Sequence, residues 1–110
     1  MRVLKFGGSS VATPERIQGI ISILKDYYTK DEQFTVVFSA FGGVTDALIE
    51  MSQLAEKGDE RYQELFQQFT SRHTEAANAL LTPEAQDIVL PALQQNHDVL
   101  QNLLYGIFLI

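Results

Sequence analysis

The sequence predicts an α/β fold that opens on a βαβ unit with parallel strands and continues as a helical segment. Three observations carry this. Two short apolar runs, Arg2–Phe6 and Phe34–Ser39, flank one amphipathic stretch. Each run ends on a glycine pair with hydroxyl residues close by, Gly7-Gly8-Ser9-Ser10 and Gly42-Gly43-Val44-Thr45. Beyond Gly58 the apolar residues recur only at helical spacing.

Arg2–Phe6 reads as a short buried strand, with Val3, Leu4 and Phe6 apolar and Gly7-Gly8 as its stop. Thr13-Pro14-Glu15 is a helix start: a hydroxyl cap, a proline suited to the first helical position, and an acid that complements the dipole. Ile17, Ile20, Ile21, Leu24 and Tyr28 then form one apolar face, and Gly19 inside it is read as an allowance for close packing. Thr29 to Gln33 is a polar connection. Phe34–Ser39 is continuous and β-branched, as expected of a strand covered on both faces. Strand, helix, strand in this length predicts a right-handed parallel crossover, whose ligand crevice lies beyond the carboxyl ends of the strands. Both glycine pairs fall there.

A second helix is predicted from about Val44 to Lys57, with Val44, Leu48, Ile49, Ser52 and Ala55 on one side and Gly58 as its stop. Asp59 can cap a third, carrying Tyr62, Leu65, Phe66, Phe69, Ala76, Ala77 and Leu80. Thr82-Pro83-Glu84 repeats the cap-then-proline start. Pro91 predicts a break or a kink, favouring one short helix and one longer one over a single rod, the last helix presenting Leu93, Leu100, Leu103, Leu104 and Ile107. The division expected is residues 1–58 for the βαβα part with its loops and 59–110 for the helical segment. The apolar end, Tyr105 to Ile110, reads as a cut within a longer protein, so that 1–110 is an incomplete domain.

Composition excludes several function classes. Hydrophobic residues are 45 % and charged residues 20 % of 110, an ordinary globular balance. The net charge of −6 argues against nucleic acid as a partner, which needs a positive face. An anionic small ligand must instead be held locally, by a lysine, backbone N–H groups and helix N-termini. The absence of cysteine removes disulfides and thiolate chemistry. There is no secretory pattern and no apolar run near the ~20 residues needed to span a membrane, so a cytoplasmic location is expected. His73 and His97 stand far apart without ligand spacing, which predicts packing or solvated roles and no metal site.

The candidate site is the pair of loops. On spacing alone, Lys5 with Gly7-Gly8 reads equally as a tight turn or a phosphate cradle; it is neither a Walker loop nor a dinucleotide fingerprint. A lysine inside an apolar strand strengthens the phosphate reading, because a buried ammonium is costly unless it meets an anion. In the second loop, Ser39 and Thr45 stand beside Gly42-Gly43. Thr45 lies near a helix N-terminus, where free N–H groups can hold a carboxylate or phosphate; the competing reading is that Thr45 or a neighbour caps the helix and does nothing else.

The run Lys5-Phe6-Gly7-Gly8-Ser9-Ser10-Val11-Ala12 resembles the N-terminal signature of aspartokinases, of the amino acid kinase fold. Val36-Val37-Phe38-Ser39-Ala40-Phe41-Gly42-Gly43-Val44-Thr45-Asp46 resembles that family's second loop, at the usual separation. Related kinases of acetylglutamate, glutamate, carbamate or uridylate differ after the lysine, which favours aspartate. The start at Met1-Arg2-Val3-Leu4 is similar to bifunctional aspartokinase–homoserine dehydrogenases. The resemblance implies transfer of the ATP γ-phosphate, with Mg2+, to the side-chain carboxylate of L-aspartate, the first step toward lysine, threonine and methionine. It implies that Lys5 is catalytic and contacts the transferring phosphate, that Gly7, Gly8 and Ser9 surround the phosphates, and that Ser39 and Thr45 bind aspartate. A homo-oligomer is expected. The family's later Ser-x-Gly-Glu segment, its Gly-Arg-Gly-Gly-Ser-Asp loop and its regulatory domains are absent, so this stretch alone is expected to be inactive. The competing reading is a non-catalytic, self-associating βαβ and helical interaction module.

Overall fold

The computed structural model describes residues 1–110. It contains two strands and four helices, in the order β1 (Arg2–Phe6), α1 (Pro14–Thr29), β2 (Phe34–Phe38), α2 (Val44–Glu56), α3 (Tyr62–Leu80) and α4 (Pro83–Leu109). The chain forms two compact units, residues 1–44 and 45–110.

In the first unit β1 and β2 pair in parallel, in register from Arg2 opposite Phe34 to Phe6 opposite Phe38. Alternation along the strands divides their side chains between two faces. Leu4, Phe6, Phe34 and Val36 share one face, where Phe6 and Phe38 stack at 5.7 Å and Tyr27 of α1 meets Phe34 at 5.8 Å. Val3, Lys5, Thr35 and Val37 share the other face and are exposed. The expectation of strands covered on both sides therefore fails: Val3 is 66 % and Val37 45 % exposed. One helix covers one face of a two-stranded sheet, and the second face stays open.

α1 begins as its sequence dictates. Thr13 is extended at the cap, its hydroxyl accepts from the Arg16 N–H at 3.2 Å, and Pro14 opens the helix. Ile17, Ile20, Ile21 and Leu24 turn inward, but Tyr27 completes the face and Tyr28 is exposed. The Arg2 guanidinium lies 5.7 Å from the Tyr27 ring centre. Close packing is not what Gly19 provides, since a Cβ there would meet nothing within 4 Å. The helix ends on a pair of bonds, Glu32 N–H to the Tyr27 carbonyl and Asp31 N–H to that of Tyr28. This Schellman arrangement needs a left-handed residue, and Asp31 supplies it at φ 55°.

In the second unit, α2 ends in the same way. Asp59 N–H reaches the Leu54 carbonyl, Gly58 N–H reaches that of Ala55, and Gly58 takes φ 70°. The Asp59 carboxylate then accepts the Arg61 backbone N–H at 3.0 Å, and the Arg61 guanidinium grips it at 2.6 Å. Those bonds hold the Asp59 carboxyl down at about 2. They build the turn that leads into α3, which itself starts later, at Tyr62.

The core of this unit joins Met51, Ala55, Tyr62 and Leu104. The buried side of α2 is rotated from the predicted one. Met51 is fully buried, whereas Ile49 is 52 % exposed and Ser52 turns its hydroxyl back to the Leu48 carbonyl at 2.8 Å. α3 turns the predicted residues inward, with Tyr62 and Ala76 buried and Leu65, Phe66, Phe69, Ala77 and Leu80 half-buried. α4 runs antiparallel to it, as the contacts Tyr62 with Phe108 and Phe69 with His97 require.

Pro91 does not divide α4, which is a single helix from Pro83 to Leu109. Pro91 is exposed, and the carbonyl that its missing N–H leaves unpaired belongs to the exposed Asp87. Both halves are also anchored. Gln86 donates to the Leu81 and Asn78 carbonyls, and the later half packs through Leu93, His97, Leu100, Leu104 and Phe108. That stripe leaves the predicted Leu103 and Ile107 on the outside, 61 % and 38 % exposed.

Candidate functional site

Lys5, Gly7, Gly8, Ser9 and Ser39 all belong to the first unit, at the carboxyl ends of its two adjacent strands. The register places them. The Ser39 N–H donates to the Phe6 carbonyl at 3.0 Å, so the segments after β1 and β2 leave the sheet side by side. The first loop closes through the Ser10 N–H and the Gly7 carbonyl at 3.0 Å. A turn of this kind does not use the N–H groups of its two central residues, here Gly8 and Ser9.

The two loops meet backbone to backbone. A Cβ on Gly42 would stand 3.0 Å from the Gly8 carbonyl oxygen and 3.2 Å from the Ala12 Cβ. A Cβ on Gly8 would come to 3.6 Å of the Gly42 Cα. Gly7 differs, because a Cβ there would point into open space. Gly43 takes φ 84° where the second loop turns into α2.

Lys5 does not occupy the position the sequence argument gave it. It is exposed, on the open face of the sheet opposite Val37, so no buried ammonium demands an anion. Its position next to the first loop stands; the desolvation argument does not. Ser9 and Ser39 are exposed as well. Thr45 belongs to the second unit. It is the second residue of α2, exposed, and inside the helix instead of at its cap.

This donor set fits a polyphosphate: two backbone N–H groups left over by a tight turn, hydroxyls at Ser9 and Ser10, an exposed ammonium, and clear space over Gly7. No group of three or more histidines and carboxylates comes together that could hold a metal ion. No helix is long and apolar enough to cross a membrane.

Two features were not legible in advance. The Arg16 Nη1 donates to the Ser9 carbonyl at 2.5 Å, tying the first turn of α1 to the first loop. His73 and His97, far apart in sequence, lie with ring centres 6.2 Å apart between α3 and α4. His97 is buried and its Nε2 has no partner; burial pushes its pKa down, and His73 adds to that. His97 packs against Phe69 and His73, and a pairing across antiparallel helices is what sequence spacing conceals.

The chain is similar to curated aspartokinases. It is 42 % identical over 64 residues to an aspartokinase of Rickettsia bellii (strain RML369-C), covering 49 % of this chain and 16 % of that one. It is 36 % identical over 83 residues to an aspartokinase of Chlamydia pneumoniae, covering 74 % and 17 %. It is 30 % identical over 107 residues to the chloroplastic bifunctional aspartokinase/homoserine dehydrogenase 2 of Zea mays, covering 97 % and 12 %. The chain thus spans less than a fifth of the length of each of these relatives. The family model described as "Amino acid kinase family" matches residues 1–105, and by that match the chain belongs to the amino acid kinase family.

Proposed function

We propose that the protein to which this stretch belongs is an aspartate kinase, transferring the γ-phosphate of MgATP to the side-chain carboxylate of L-aspartate. The observation that carries this is the pairing of the two motif runs. Lys5–Ala12 and Val36–Asp46 leave adjacent parallel strands and touch through Gly8 and Gly42. The aspartokinase names of the relatives support the choice of substrate.

The chemistry suits these residues. A carboxylate oxygen of aspartate attacks the γ-phosphorus, the bond to the β–γ bridging oxygen breaks, and ADP leaves with that electron pair. The nucleophile, with a reference pKa of about 3.9, is already ionised, so no general base is required. What remains is to align two anions and offset their repulsion. In this reading Lys5 contacts the transferring phosphate. The N–H groups of Gly8 and Ser9 and the Ser9 hydroxyl hold phosphate oxygens, and Gly7 leaves room for them. Mg2+ accompanies the nucleotide. Ser39 and Thr45 bind the aspartate.

Residues 1–110 are an incomplete kinase domain in this reading and are inactive alone. The whole protein is a cytoplasmic homo-oligomer at the head of lysine, threonine and methionine synthesis. The test is to incubate the full-length protein with MgATP and L-aspartate and trap the acyl phosphate as a hydroxamate. Glutamate, acetylglutamate and uridylate serve as alternative acceptors. Aspartate-dependent product supports the proposal. Absence of product, or preference for another acceptor, overturns it.

A further inference from the structure

We infer that Arg16 is a positioning residue for the phosphate loop, acting on MgATP binding through the Ser9 carbonyl; this rests on the kinase reading above. One peptide group carries the argument. Its carbonyl, from Ser9, accepts from the Arg16 Nη1 at 2.5 Å. Its N–H, from Ser10, donates to the Gly7 carbonyl at 3.0 Å. The plane of that peptide is therefore held at both ends, which sets the direction of the neighbouring Gly8 and Ser9 N–H groups.

The clamp has a rigid base. The Arg16 backbone N–H is itself bonded to the Thr13 hydroxyl at 3.2 Å, so the guanidinium projects from a capped first turn. Gly8 is backed from the other side by Gly42. The loop is thus held between the second loop and α1. Guanidinium bonds to a carbonyl are charge-assisted, and a donor fixed before the ligand arrives lowers the ordering cost of binding. The guanidinium touches the carbonyl side of the peptide, so its effect on phosphate is indirect.

The test compares Arg16→Met, Arg16→Lys and the unaltered full-length protein, measuring kcat, both KM values and thermal stability. Only one N–H bond is needed, so lysine should restore most of the effect. Arg16→Met should raise the KM for MgATP about tenfold, with the aspartate KM unchanged, and Arg16→Lys should stay within about threefold, as loss and replacement of one charge-assisted bond predict. An unchanged MgATP KM in Arg16→Met overturns the inference while leaving the kinase reading intact. So does an equal rise in both KM values, which would mark general damage to α1, or a lysine variant as impaired as the methionine one. If the unaltered protein makes no acyl phosphate, the kinase reading fails first and this inference with it.

Discussion

Gly42 approaches Gly8 so closely that a Cβ on Gly42 would stand 3.0 Å from the Gly8 carbonyl oxygen. The obstacle is backbone, so neither loop can yield without moving the other. Gly42→Ala should destabilise residues 1–44 by about 1–3 kcal/mol, as overpacking does. Gly7→Ala, whose Cβ meets nothing, should not show that steric penalty. Denaturant unfolding of both variants checks the contrast. Equal losses would mean that the loops do not lock through Gly42.

Asp31 and Gly58 fill the same position in two helix ends, with φ 55° and 70°. A left-handed residue with a Cβ is strained where glycine is not. Asp31→Gly should therefore leave stability unchanged or raise it by about 0.5–1 kcal/mol, and Gly58→Ala should lower it by about 1 kcal/mol or more. Unfolding midpoints read both. A stabilising Gly58→Ala would contradict the assigned turn.

Met51 and Ile49 test which side of α2 faces the core. Met51→Ala should cost about 2–5 kcal/mol, and Ile49→Ala should stay within about 0.5 kcal/mol. The reverse order would restore the orientation read from hydrophobic pattern alone.

The limits of that pattern have physical causes. Thr13, Pro14, Thr82, Pro83 and Gly58 were legible because caps and stops are local chemistry, and the structure uses each as expected. The two glycine loops were legible for the same reason, and their shared end of the sheet because a parallel crossover brings both carboxyl ends to one side. Which residue closes a helix face is decided by what it packs against, Phe34 of β2 for Tyr27 and Tyr62 with Leu104 for Met51, and so Tyr27 takes the place of Tyr28 and Met51 that of Ile49. Pro91 stayed within α4 because tertiary contacts outweigh one lost backbone bond. The Arg16 clamp depends on where an exposed side chain folds back, which spacing does not encode. The exposure of Lys5 followed from strand parity, once α1 was known to cover only one face.

His97 gives the helical unit a pH dependence. Burial and the neighbouring His73 lower its pKa below the ordinary 6.5, and Asp98 on α4 opposes that. Glu75 of α3 and His97 line the same groove. The folded state favours the neutral ring, so below pH 6.5 the unfolded chain binds the proton more readily. Stability should be level above that pH and decline as pH falls toward the lowered folded value. His97→Leu should remove this slope and cost little at neutral pH, since it also removes an unpartnered buried nitrogen. Urea unfolding across pH 5 to 8 measures it, and an unchanged slope in the variant would assign the effect elsewhere.

Lys5 tests the central claim most directly. It stands beside the first loop, exposed and outside the packed face, so Lys5→Ala should leave the fold intact. In the full-length protein, the decisive measurement is the kcat for aspartate-dependent phosphoryl transfer by Lys5→Ala. The account predicts a fall of roughly 100-fold or more, as expected for loss of an electrostatic contact made in the transition state. Turnover within about twofold of the unaltered enzyme would contradict it, because so small a change leaves no room for such a contact.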